Sequence, residues 1–118
     1  MKNLTILFAI FLLVTTGCDE YEEGHIKVQN KVHNVTLQNI NWGGTGVYDY
    51  LMTGETSYDV TISDKKDSWP KTFQLEFYMV ADGNRVYLKT RQQYTLDYDQ
   101  ELLIVVADTT AVYNPSLE

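Results

Sequence analysis

An Asp-Gly pair at residues 82–83, flanked on both sides by alternating apolar residues, makes the middle of this chain a β-hairpin. Phe73, Leu75, Phe77 and Met79 occupy every second position before it. With the turn centred on Asp82-Gly83, the numbers of paired residues sum to 165. Met79 then faces Val86 and Phe77 faces Leu88 on the inner side. Tyr78 faces Tyr87 and Glu76 faces Lys89 on the outer side. An aromatic pair and an opposite-charge pair are both favourable across strands, so one register satisfies both faces.

The same period of two runs through the rest of the chain from His25 onward. Ile26, Val28 and Val32 alternate with polar residues, and His33-Asn34 marks a turn. Val35 and Leu37 resume on odd numbers, but Ile40 and Trp42 continue on even ones, a phase slip that predicts a bulge near Gln38–Asn39. Three glycines within residues 43–46 break the strand, and a further short strand runs from Val47 to Met52. Tyr58, Val60 and Ile62 make a half-buried strand, which places Tyr58 with Trp42 in the core. Residues 63–72 read as a polar loop. Tyr94 to Leu96 leads into a turn at residues 97–100, and Glu101 to Ala107 is the most apolar strand. Residues 108–112 extend it or form a last edge strand. No window has helical periodicity. Seven to eight short strands with regular turns predict an all-β chain, a single antiparallel β-sandwich over residues 25–118.

Upstream of the strands the chain changes character. Met1-Lys2-Asn3 carries one positive charge, Leu4 to Val14 is apolar apart from Thr5, and small residues precede Cys18, the only cysteine. Eleven residues fall short of the roughly 20 that span a bilayer as a helix, so residues 1–17 read as a secretory signal peptide. The stretch resembles a bacterial lipoprotein signal with its lipobox, which implies that Cys18 becomes the lipidated N-terminus and that the protein sits on the outer membrane or cell surface of a bacterium. Residues 18–24 would then be the lipidated cysteine and a flexible acidic tether carrying Asp19, Glu20, Glu22 and Glu23. Those acids resemble the export signals of surface lipoproteins in Bacteroidetes-type bacteria; a plain solvated spacer is the other reading.

Without residues 1–17 the chain keeps 101 residues, enough for one domain, with 8 basic and 16 acidic side chains and a net charge of −8. Such a chain is a poor partner for nucleic acid, and the charge favours solubility. With Cys18 alone, stability must come from the core and not from disulfides.

The run of strands, with the tract Leu51-Met52-Thr53-Gly54-Glu55-Thr56-Ser57, is similar to small Ig-like or transthyretin-like lipoproteins of Bacteroidetes-type bacteria. The resemblance covers about residues 25–112 and implies a lipid-anchored envelope protein that binds or scaffolds. The core disulfide of ordinary Ig domains cannot form here.

Catalytic and metal chemistry is thinly supplied. His25 and His33 are the only histidines, and on one strand they would lie about 26 Å apart, too far to share a metal or a catalytic site. No G-x-S-x-G elbow is present, and the 43–46 glycines lack the Lys-Ser/Thr of a phosphate cradle. Asp97, Asp99 and Glu101 are spaced like the start of a calcium loop, but Leu102 stands where an EF-hand needs glycine. Asp108-Thr109-Thr110 resembles an O-glycosylation site of the same bacteria. No catalytic residue, metal site or cofactor is therefore expected.

The aromatic residues carry the remaining signal. Nine tyrosines and two tryptophans exceed what so small a domain needs for packing. Trp69, Tyr78 and Tyr87 fall outside the inward parity and are candidates for a protein or glycan surface, against plain packing of Tyr78 on Tyr87. Leu103 and Val105 alternate with the core residues Leu102, Ile104 and Val106 and so face outward. Either the chain's own segment Thr109 to Pro115 covers them or a partner does. These features predict a non-catalytic binding or scaffolding domain. A small enzyme or enzyme inhibitor, or a carbohydrate-binding accessory lipoprotein, are the alternatives.

Overall fold

The computed structural model describes residues 20–117, so Cys18 and the signal segment lie outside it. Eight strands follow one another: β1 Tyr21–Lys31, β2 Thr36–Trp42, β3 Thr45–Leu51, β4 Val60–Lys65, β5 Lys71–Ala81, β6 Asn84–Leu96, β7 Glu101–Ala107 and β8 Val112–Tyr113. They form a three-stranded sheet, β4-β1-β7, and a five-stranded sheet, β3-β2-β5-β6-β8. The two sheets enclose one apolar core, a β-sandwich. Ile26, Val28, Ile104 and Val106 come from the smaller sheet; Leu37, Ile40, Trp42, Leu75, Phe77 and Leu96 come from the larger.

The β5–β6 hairpin has the register its sequence dictates. Phe77 pairs with Leu88, Met79 with Val86, Tyr78 with Tyr87 and Glu76 with Lys89. Asp82 and Gly83 both take positive φ, 51° and 80°, as a two-residue I′ turn requires. The bulge predicted in β2 is present: Asn39 has φ 49°, and β2 shifts register against β5 between Gln38 and Asn41, with a further shift against β3 between Ile40 and Asn41. At the β2–β3 turn a Cβ on Gly43 would lie 2.2 Å from the Phe73 ring, so only glycine fits there.

Four features depart from the sequence-based expectations. The sandwich is not purely antiparallel, because β1 and β7 pair in parallel from His25–Glu101 to Lys31–Ala107. The acidic tether is mostly strand: Tyr21 to Gly24 pair with Ile62 to Lys65 of β4. Charge on the side chains does not prevent this, since the ladder is made by the backbone. Buried Gly24 admits Leu96, whose Cγ would stand 3.0 Å from an added Cβ.

Tyr58 is not core. It is 77% exposed and precedes β4, whose inward alternation begins at Val60; its ring packs edge-on against Tyr48 at 5.5 Å. Trp69, by contrast, is buried and is not a surface residue. A short 3-10 turn at Lys66–Ser68 folds it back onto the core, where its indole N–H points to the Asp64 carbonyl at 3.4 Å and Lys71 lies 5.3 Å over the ring.

The tract at residues 51–57 knits the far end of the sandwich. Fully buried Asn30 donates to the Val35 and Leu51 carbonyls, both at 3.0 Å, and its side-chain oxygen accepts from the Val32 N–H. Ser57 accepts from the Val28 N–H at 2.9 Å, and Thr53 donates towards the carbonyls of Val32 and Val35. Polar groups that would be costly if unpaired are thus satisfied by one another.

Candidate functional site

The larger sheet's outer face is built by the same alternation that fills the core. Residues directly opposite one another share a face. Pairings therefore run in one row across four strands: Tyr50 on β3, Gln38 on β2, Tyr78 on β5 and Tyr87 on β6. The next row holds Asn41, Glu76, Lys89 and Tyr113 of β8. Val80 and Arg85 pair beside the turn. The result is a platform of tyrosines, amides and charged groups, with Val80 its sole aliphatic member among these paired residues.

Contacts within the platform hold its side chains in place. The Arg85 guanidinium lies 3.7 Å over the Tyr78 ring, and Tyr78 and Tyr87 pack at 5.2 Å, tilted by 44°. Arg91 stacks 4.7 Å over Tyr113, and Gln74 meets the Tyr113 hydroxyl at 3.1 Å. Tyr87 donates to the Glu76 carboxylate, which also receives Lys89 at 3.3 Å. The Tyr87 hydrogen bond, with Lys89 behind it, holds the Glu76 carboxyl below its usual value despite partial burial. Burial and the facing Glu76 carboxylate push Tyr87 up to about 12. Glu76 is therefore an anion and Tyr87 a neutral donor at physiological pH.

Tyr78 and Tyr87 come together as their pairing implies, and the structure adds Tyr50, Gln38, Arg85, Arg91 and Tyr113 to them. Arg85 was within reach of the sequence, because 80 and 85 also sum to 165. Tyr50 was not: its pairing with Gln38 depends on a register shift between Ile40 and Asn41 in the β2–β3 ladder. Trp69 belongs to the core and not to this face.

Leu103 and Val105 lie on the other sheet. Leu103 is 53% exposed, while Val105 is half-buried. The C-terminal segment does not fold over them: β8 crosses to pair with β6 at Lys89 and Thr90. Of the two readings, coverage of Leu103 by residues 109–115 is thereby corrected, because that segment's strand hydrogen bonds are made in the opposite sheet.

The histidines stand apart. His25 Nδ1 lies 3.3 Å from Asp59 and 3.1 Å from the Thr61 hydroxyl. A nucleophile–base–acid relay needs its two partners on opposite ring nitrogens, and here both address the same one. The neighbouring groove, lined by Lys27, Thr56, Asp59, Glu101, Leu102 and Leu103, brings two carboxylates and one ammonium to an open surface. His33 contacts Asp108 through Nδ1 and its backbone N–H, tying the β1–β2 turn to the end of β7. Those bonds lower the exposed Asp108 carboxyl. Among the described residues no three His, Cys, Asp or Glu side chains converge as a metal site.

Comparison of the chain with protein-family models, with curated proteins and with solved structures finds no match in any of the three.

Proposed function

We propose that this is a lipid-anchored protein of the bacterial outer membrane or cell surface, held by acylated Cys18, whose β-sandwich binds or scaffolds and does not catalyse. The observation that carries the binding reading is the in-register row Tyr50–Gln38–Tyr78–Tyr87, with Arg85 stacked upon it. Ordered aromatic and planar cationic side chains lose little conformational freedom when a ligand arrives, which favours recognition. A catalyst would need convergent titratable groups in a concave site, and the His25–Asp59–Thr61 geometry does not supply a relay.

The anchor reading rests on the signal-like residues 1–17 and the small residues before Cys18. Only Asp19 and Glu20 separate Cys18 from β1. An acylated Cys18 would therefore hold the sandwich close to the membrane surface, with the Lys66–Trp69 end nearest, since Glu20 accepts the Lys66 N–H. The hairpin turn at Asp82-Gly83 would point away. Two or more acyl chains, at about 0.8 kcal/mol per buried methylene, would make the attachment stable.

Metabolic labelling with a fatty acid tests the anchor. Wild-type protein is expected to carry label and to fractionate with membranes. Cys18→Ala should lose the label and be released or mis-sorted, and normal membrane retention of that variant would contradict the reading.

A further inference from the structure

The net charge of −8 conceals an opposite local balance. The chain contains only two arginines, Arg85 and Arg91, and both lie on the outer face of the larger sheet, each stacked on a tyrosine. Lys89 lies between them. Glu76 is the single acid among the paired residues of that face, and Asp82 borders it in the turn. Arg85, Lys89 and Arg91 against Glu76 and Asp82 leave the platform with a charge of +1 in an acidic domain. The two arginines are six positions apart on β6, about 20 Å of strand.

We propose that this face binds a linear glycan bearing carboxylates, laid along β6 over Tyr78 and Tyr87, with Arg85 gripping an acidic sugar beside Tyr78. The inference rests on the reading of this face as the binding surface and adds the ligand's chemistry to it. Three observations select a glycan over a protein. The centre of the platform holds the paired Glu76 and Lys89, residue types that the core of a protein interface is depleted in. Sugar rings present flat C–H faces that stack on tyrosine, while their hydroxyls pair with amides and carboxylates such as Gln38, Gln74 and Glu76. The face is also open and flat across four strands, which suits an extended chain.

Charge selects the kind of glycan. A guanidinium is a planar fork that matches a carboxylate in two parallel hydrogen bonds. Stacking on Tyr78 fixes the plane of the Arg85 fork while the residue remains exposed. An acidic ligand would meet net repulsion from this acidic domain and a guanidinium on this face, so charge would also set how it docks.

The test is retention of the full chain, purified in non-ionic detergent, on immobilised polygalacturonate, with unsubstituted galactan and dextran sulfate as comparison matrices. Retention on polygalacturonate is expected to exceed that on galactan and to fall as salt is raised. Arg85→Gln should weaken it about tenfold, and Arg85→Lys should recover only part of that loss, because the charge returns without the fork. Thermal melts matching wild type would show that both variants fold. Equal binding to galactan, lost in Tyr50→Ala, would overturn the acidic-sugar assignment and leave the binding face standing. Equal or stronger binding to dextran sulfate, unaffected by Tyr50→Ala, would reduce the effect to ion exchange and overturn the inference. Absence of retention on all three matrices would overturn the glycan assignment, whereas a protein partner lost in Tyr50→Ala would show the same face serving protein recognition instead.

Discussion

Tyr87 donates its phenolic hydrogen bond to the carboxylate of Glu76, one step diagonally across the β5–β6 ladder, and Lys89 closes on the same oxygen at 3.3 Å. This contact orders the middle of the outer face without reference to the core beneath it. It also makes that face titrate in a distinctive way.

The raised Tyr87 value, about 12, means that the folded protein keeps this proton where the unfolded chain, near 10, has lost it. Its stabilising contribution is complete below pH 10 and disappears as pH rises from 10 towards 12. Spectroscopic titration of phenolate should find one of the nine tyrosines ionising near pH 12, absent in Tyr87→Phe. In Glu76→Gln that tyrosine should titrate earlier. Ionisation of Tyr87 at the ordinary value of 10 would contradict the contact.

Glu76 behaves in the opposite sense. Its folded carboxyl is lowered, so its contribution is present above the ordinary value of 4.5 and is lost as pH falls through the lower, folded one. Acid unfolding monitored by circular dichroism should be less steep below pH 4.5 in Glu76→Gln than in wild type.

Phe77 is fully buried at the centre of the sandwich. Phe77→Ala should cost about 3–5 kcal/mol as a large core truncation. Tyr87→Ala, on the outer face, should cost much less, and Val86→Ala, at the exposed hairpin end, should stay within about 0.5 kcal/mol. Denaturant titration separates the three; equal losses for Phe77 and Tyr87 would be inconsistent with the two-sided register.

Asn30 is the most demanding polar residue in the core, because its side chain satisfies two carbonyls and one N–H from the β1–β2 connection and the end of β3. Asn30→Leu removes all three bonds, with Thr53 still donating to the Val35 carbonyl, and should cost at least about 2 kcal/mol. Asn30→Asp replaces a donor by a carboxylate facing two carbonyl oxygens. Its stability should fall further as pH rises through that carboxyl's folded value, and a pH-independent loss would contradict the assigned amide orientation.

Leu103 is the counterexample to burial by default. It projects from β7, whose described strand partner is β1, and is half exposed. Leu103→Lys should leave stability within about 0.5 kcal/mol of wild type. A steep loss would mean that this face is covered after all.

How far these features could be read in advance depends on whether they are local. The hairpin was legible because turn chemistry, apolar parity and the Glu76–Lys89 charge pair agree within 17 residues, and the β2 bulge was legible as a change of parity. Parity could not reveal that β1 and β7 lie side by side in parallel, since their pairing spans most of the chain. Nor could it show that an acidic segment would be recruited as strand by β4. Trp69 and Tyr58 were misplaced for one shared reason: each stands just outside a strand, where alternation no longer dictates direction. The platform was half visible, in Tyr78 and Tyr87, while Tyr50 and Tyr113 arrive through pairings of β2 with β3 and of β6 with β8 that no local pattern encodes.

The most direct test of the account is to see which amides respond when ligand is added. Uniformly 15N-labelled protein from Asp19 onward, titrated with oligogalacturonate, should show its largest shifts at Gln38, Tyr50, Tyr78, Arg85, Tyr87 and Lys89, with core and β7 amides unmoved. Shifts centred on β1, β4 and β7, or saturation with the outer face silent, would contradict the claim that the tyrosine–arginine platform is where this protein binds.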